Sequence, residues 1–487
     1  MPLITSGSNA TIAVSANQIL TVIAHGGEYT FENPVGTRVI DSGSSNVFGP
    51  FAAAGSVKLS ALQGDLYYEL AAGSGTTTIV PFTQIIRSVS ATNCLPTNAD
   101  LIPGGGSAAG RSVRVSRYPV IIGSGPVSKL FVNAAAATML ANIAHTVTIE
   151  CCIEDGTTVI PVTWNGASSR TLAAGEVDVM SDAILSSAFA SPLRQNKQFW
   201  IRSRLTVPNA STSRMLRHAV NNAYHITGTQ CIDMDSTSTP VNLNASGVFT
   251  VGTGMFNAGL SYAPLILGQY VGGIDPPTWV VCGDSIIAGG SSGALSGDSR
   301  GGWFQRSQYD SNGQNPKSMI IIAEPGAKAD QVLLPNISYA WKYCRFALET
   351  LGTNSGISAG NASYLLGLSK AIASSMRADI NVAKVVRLKI MQLTSGTFTS
   401  DATQTPNTGY TAGGAVDNFN TINLPSAVYP TAGYVYDALI QTTATQSATD
   451  PWKWLSTTIT TTDGIHPNVA GEGLMATEMR PILGAYT

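Results

Sequence analysis

Two hydrophobic patterns divide this chain. Up to about residue 271, apolar positions come in short runs of β-branched and aromatic residues, broken by Gly, Pro, Ser, Asn and Asp. That is the rhythm of strands joined by tight turns. It predicts strands at 11–14, 19–24, 29–31, 38–40, 57–62 and 66–70, forming an all-β domain over 1–88. A Gly/Ser/Pro-rich stretch at 96–110 reads as a linker or long loop. Strand-like runs return at 113–122, 146–153, 159–164, 176–180, 198–207 and 263–270, with helical stretches expected at 134–143 and 211–221. A β-sandwich of jelly-roll type over 89–272 is the economical architecture. After Asp275-Pro276-Pro277 the pattern changes. Continuous apolar runs at 278–282, 318–323, 345–351, 384–392 and 438–441 alternate with helical stretches near 302–310, 327–334 and within 361–380. Such runs indicate a parallel sheet covered on both faces, hence a three-layer α/β domain over 273–487, with ligands expected at the carboxyl ends of its strands.

Composition narrows the classes of function. Only 11% of the 487 residues are charged, and 27 Lys and Arg face 29 Asp and Glu for a net charge of -2. Without a basic excess to displace counterions, no nucleic-acid partner is expected. No apolar run approaches the ~20 residues that span a bilayer, so membrane insertion is not expected. The opening MPLITSGSNATIAV has no basic segment ahead of a long apolar run, and no Sec signal peptide is expected. The six cysteines, Cys94, Cys151, Cys152, Cys231, Cys282 and Cys344, lack zinc-ligand spacing and read as buried small hydrophobes. Cys151 and Cys152 would point to opposite faces of a strand. Trp164 and Trp200 fall in strand-like runs and read as core residues. Arg202, Arg204, Arg214 and Arg217 read as a salt-bridged or subunit-facing surface.

Candidate chemistry sits in the last 210 or so residues. Gly283-Asp284-Ser285-Ile286 directly follows the first apolar strand of the α/β pattern. A Ser in that position can project its hydroxyl beyond the sheet with its own N–H free, as a nucleophile with an oxyanion donor requires. Gly297-Asp298-Ser299 and Gly289-Gly290-Ser291-Ser292-Gly293 offer similar patterns, but in a Gly/Ser-rich loop with no strand ahead. His466, in Asp463-Gly464-Ile465-His466-Pro467-Asn468, is the only histidine after His225. Asp463 can turn back to accept from its ring, and Pro467 suits the first position of a closing helix. An exposed loop histidine beside a helix start would read the same way. Gly326 and Asn354 follow the next two strands and can supply a backbone N–H and a side-chain amide to a developing alkoxide. Each is also an ordinary turn residue.

Taken in order, Ser285, Gly326, Asn354 and the Asp463/His466 pair resemble the SGNH (GDSL-type) hydrolase family over roughly residues 278–483. The resemblance implies Ser285 as nucleophile, His466 as base, Asp463 as its orienting carboxylate, and an oxyanion hole of Ser285, Gly326 and Asn354. It implies no metal and no cofactor. The chain departs from the family pattern at Ser355, where Asp is common, and at Glu324-Pro325 ahead of Gly326. The polar stretch 397–449 reads as an insertion able to line a substrate cleft. Charge-poor β domains ahead of such a domain resemble bacteriophage tail-fibre or tailspike virion proteins. That implies attachment to other tail proteins through the N-terminal domain, a homotrimer, and O-deacetylation of bacterial capsule or O-antigen polysaccharide. It also implies synthesis in the host cytoplasm and location on the virion. A free bacterial SGNH esterase or lipase, and a glycan-binding tail protein without turnover, are the alternatives.

Overall fold

The computed structural model describes the strand residues within 3–72, together with Ser8, and then residues 85–96, 98–101, 111–209, 213–217, 228–235, 238–257, 262–271, 275–289, 302–431 and 433–486. Within the first 72 residues, the turn-punctuated runs pair into two four-stranded antiparallel sheets. One holds Leu3–Ile4, Asp65–Ala72, Gln18–His25 and Asn46–Phe48; the other holds Asn9–Val14, Gly55–Ala61, Tyr29–Asn33 and Gly36–Ile40.

Further along, the strand Arg111–Ile121 is flanked by Gln198–Thr206 and Gln230–Asp235 in a seven-stranded antiparallel sheet. A five-stranded antiparallel sheet is built on Val127–Ala134 and Leu265–Tyr270. Ile149, Phe199 and Ile201 of the first share one apolar cluster with Leu130, Val132 and Ile266 of the second. Alternation places Cys151 in that cluster and Cys152 in another, behind the seven-stranded sheet. All six cysteines are buried free thiols. Trp164 belongs to the shared core, whereas Trp200 lies under the Arg117 guanidinium at 3.7 Å. Behind the seven-stranded sheet, Glu154 is held by both Arg117 (2.6 and 3.0 Å) and Arg202 (2.5 Å). Burial of three charges is sustained there because each carboxylate oxygen has a guanidinium partner.

Neither of two expected helices is found among the described residues. Residues 135–146 are irregular: the N–H of Ala136 is taken by the Glu176 carbonyl (2.7 Å) and that of Met139 by the Pro96 carbonyl (3.2 Å). Contacts with distant loops have overridden the alanine run's helix propensity. At 211–221 the described part is the strand Arg214–Arg217, antiparallel to Asn98–Leu101. That pairing also puts a strand inside the stretch expected as linker. Residues 102–110, 211, 212 and 218–221 lie outside the described residues.

The parallel sheet runs Asn93–Cys94, Met319–Ala323, Trp279–Gly283, Phe346–Glu349, Lys384–Leu388, Ala438–Ile440. Its edge strand thus comes from far upstream of the others. Strand residues alternate between two cores, Val280, Cys282, Ile320 and Ile322 on one face, Trp279, Val281, Met319 and Ile321 on the other. The helix Ala362–Arg377 covers the first face with Leu365, Ile372 and Met376; the last helix, Val469–Gly484, covers the second with Met475, Met479 and Leu483. Each such aliphatic side chain, fully buried, is worth about 1.5–3 kcal/mol. Leu265 and Leu267 of the five-stranded sheet belong to the first core, so that sheet is buried on both faces.

Candidate active site

The central strand ends at Gly283, where a Cβ would collide with Thr350 and Ile287. Asp284 then caps a single helical turn, Ser285–Ala288, by accepting the Ile286 N–H at 3.0 Å. This sharp strand-to-helix turn brings Ser285 to the carboxyl edge of the sheet, with 3% of its surface exposed.

His466 reaches Ser285 from 181 residues away. Its Nε2 lies 2.8 Å from Ser285 Oγ, and its Nδ1 lies 2.7 Å from Asp463 Oδ2. The other carboxylate oxygen, Oδ1, accepts the backbone N–H groups of Ile465 (2.9 Å) and His466 (2.8 Å), which closes the loop on itself. Gly464 makes that loop possible. It has φ +76°, and a Cβ would strike the Thr394 carbonyl oxygen. Its own carbonyl accepts the Thr394 N–H (3.0 Å) and the Trp454 indole N–H (2.9 Å). Pro467 does not open the last helix. Asn468 is the N-cap, accepting the Gly471 N–H at 3.0 Å, and Val469 is the first helical residue. Asn outcompetes the neighbouring proline because its side chain satisfies an otherwise orphaned N–H.

Gly326 occupies the third position of the turn Glu324-Pro325-Gly326-Ala327, closed by Ala327 N–H to Glu324 O at 3.0 Å. Its φ of +79° is what a type II turn demands there. The Asn354 amide donates to the carbonyl of Ala327, the residue after Gly326, at 3.3 Å. Ser355 Oγ accepts from the Ala329 N–H at 3.5 Å. Glu324 receives Arg217 Nη2 at 3.0 Å, linking this turn to the strand Arg214–Arg217 of the β region. No sequence signal pairs those two residues; the departure from the family pattern at 324 was the only mark. Apart from Gly289, the two Gly/Ser-rich patterns that resemble the Ser285 motif fall within 290–301, outside the described residues.

Electrostatics differ sharply between the two carboxylates near Ser285. Burial works against ionisation of Asp463, but hydrogen bonds from the His466 ring and from the N–H groups of His466 and Ile465 overcome it and hold the carboxyl below its ordinary value. Asp284 is fully buried, and desolvation pushes it up to about 6 despite the Ile286 N–H and the charges of Arg387 and His466. One of its oxygens, Oδ2, has no hydrogen-bond partner. Its burial has no signal in the local sequence. Beneath it, Glu349 and Arg387 form a fully buried ion pair at 2.7 Å. Among the described residues, no group of three or more His, Cys, Asp or Glu is placed to hold a metal ion, and no helix is long and apolar enough to cross a membrane.

A hydroxyl, an imidazole and a carboxylate thus stand in line at hydrogen-bonding distances. With Nδ1–H given to Asp463, Nε2 is left to accept the Ser285 proton as Oγ attacks an electrophilic carbon. No family model matches the chain, and no curated protein matches it in sequence. Solved structures similar to it include the psychrotrophic esterase EstA from Pseudoalteromonas sp. (17% identity, 43% of this chain and 98% of that one, TM-score 0.31). A family two carbohydrate esterase from Clostridium thermocellum, solved with cellohexaose, is 12% identical over 82% of this chain and 99% of that one, TM-score 0.28. An extracellular lipase from Streptomyces rimosus is 16% identical over 44% and 100%, TM-score 0.26. Identities and scores this low assign neither a family nor an activity to this chain.

Proposed function

We propose that this chain is a serine esterase of the SGNH type, a carbohydrate O-deacetylase that acts on bacterial surface polysaccharide and is carried on a phage particle. One observation carries the chemistry: the unbroken chain from Ser285 through His466 (2.8 Å) to Asp463 (2.7 Å) at the carboxyl edge of a parallel sheet. In this reading Ser285 Oγ attacks the acetyl carbonyl while His466 Nε2 takes its proton. The oxyanion is met by the N–H groups of Ser285 and Gly326 and by the Asn354 amide. Collapse expels the sugar hydroxyl, which receives the proton from His466, and water then releases acetate from the acyl-enzyme by the same steps.

The virion assignment draws on other material. It is supported by a charge-poor, Gly-, Ser- and Thr-rich β region ahead of the α/β region. Residues 1–88 would attach to other tail proteins and trimerise, and the seven- and five-stranded sheets would form the jelly-roll sandwich.

Acetate release from O-acetylated bacterial polysaccharides by the purified chain tests the reaction. The wild type is expected to release acetate from alcohol-linked esters and Ser285→Ala to release none. Activity that survives Ser285→Ala, or cleavage confined to N-acetyl groups, would overturn the ester assignment. Light scattering tests the assembly, with a trimer expected and a monomer contradicting the virion reading.

A further inference from the structure

A concavity is set in the α/β region. It measures about 510 Å³ and opens between the segment 353–357 and the insertion segment 393–410. That size falls within the ~300–1,000 Å³ typical of small-ligand sites. Three links connect it to residues of the candidate site. Thr353, on its wall, directly precedes Asn354. Leu393, also on the wall, precedes Thr394, whose N–H is held by the Gly464 carbonyl at 3.0 Å. Tyr410, a third wall residue, lies within electrostatic reach of Asp284: its phenol is pushed up to about 12, first by burial and then by that carboxylate.

The lining has a distinctive chemistry. Thr353, Thr405, Asn407 and Thr408 present hydroxyls and an amide, and Ile357 and Pro406 add apolar surface. No charged side chain lines the cleft. Among the described residues, the side chains of those three threonines and of Asn407 make no hydrogen bond to the protein. Uncommitted, uncharged donors and acceptors over an apolar floor suit a pyranose, which offers hydroxyls at its rim and C–H groups on its face. An anionic sugar would find no cation there to replace its hydration.

We propose that this cleft is the glycosyl subsite of the enzyme and that it selects an uncharged sugar unit in the acetylated polymer. The inference rests on the esterase reading for its role and on the cleft lining for its selectivity.

The test uses the full-length Ser285→Ala chain, which binds without turnover, and two probes differing only in a carboxylate. These are a di-O-acetylated methyl glucopyranoside and the matching methyl glucopyranosiduronate. Calorimetry is expected to show the neutral probe binding at least about tenfold more tightly, because the acidic one gains no partner for its charge. Adding Asn407→Ala and Thr408→Val, both away from the apolar cores, should weaken the neutral probe roughly tenfold through two lost hydrogen bonds. An unchanged circular dichroism melt shows that the variant is folded. Equal binding of the two probes, or neutral-probe affinity unmoved by the double substitution, would overturn the subsite. Failure of the wild-type chain to release acetate from any ester would sink the esterase reading separately, because the binding measurement needs no turnover.

Discussion

Asp284 offers the sharpest test of the physical picture around Ser285. Its carboxyl is fully buried, one oxygen caps the turn at the Ile286 N–H (3.0 Å), and the other has no hydrogen-bond partner. The charged groups acting on it are Arg387 and His466, which favour ionisation, and Glu349, which opposes it. Desolvation dominates, and the group rises from 3.8 to about 6. The folded chain therefore keeps a proton between pH ~4 and ~6 that the unfolded chain has already released. Its stability contribution is fully present below pH ~4 and is lost as pH rises through about 6. At ~1.4 kcal/mol per unit, the loss amounts to ~3 kcal/mol. Asp284→Asn removes the ionisation but keeps the capping oxygen. The amide that replaces the unpartnered oxygen carries its own burial cost, which is the same at both ends of the pH range and cancels in the difference. The stability of the variant relative to wild type should therefore improve by ~2 kcal/mol between pH 4 and pH 7.5, the rest of the loss falling below pH 4. Denaturant titration followed by tryptophan fluorescence reads this directly, since Trp279, Trp303 and Trp454 lie in the core beside this turn. A relative stability that is flat between the two pH values would refute the burial argument. Because ionised Asp284 also attracts a protonated His466, the same substitution should lower kcat.

Two further outcomes follow from the hydrogen-bond geometry. Asp463→Asn retains an acceptor for the loop N–H groups but turns an amide N–H toward His466 Nδ1, so Nε2 carries the proton and cannot accept one from Ser285; kcat on an aryl acetate should fall by about 10²–10⁴ with the melting temperature nearly unchanged, and a loss under tenfold would remove Asp463 from the mechanism. The stability that ionised Asp463 contributes is fully present above the ordinary ~4 and is lost as pH falls through its lowered folded value, read as a denaturation midpoint that falls only in stronger acid. Glu154→Ala strips a carboxylate from two buried guanidiniums, Arg117 and Arg202, and should destabilise the β region by ~3–5 kcal/mol, measured as a lowered denaturation midpoint; a loss below about 1 kcal/mol would show that the carbonyls of Gly228 (2.7 Å from Arg117) and Gly247 (2.6 Å from Arg202) suffice as partners.

Local sequence carried the strands and the chemistry that depends on a few consecutive residues. Alternating or continuous apolar runs set which side chains face inward, and an apolar strand ending in Gly283-Asp284-Ser285 places a hydroxyl at the sheet edge wherever the rest of the chain goes. Asp463 and His466 are legible for the same reason, since three residues suffice to close their loop. Partner choice over long separations left no such trace. Asn93 and Cys94 carry no periodic signal, yet they pair with Ile320 and Ile321 as the edge of the parallel sheet. The alanine run at 134–137 favours a helix by propensity and is held irregular by carbonyls at Glu176 and Pro96. Arg217 meets Glu324 only after the β and α/β regions pack, and Asp284 loses its water only once the α/β region closes around it. Tertiary structure decided these because burial and pairing depend on which surfaces meet, a property of the whole chain rather than of any window along it.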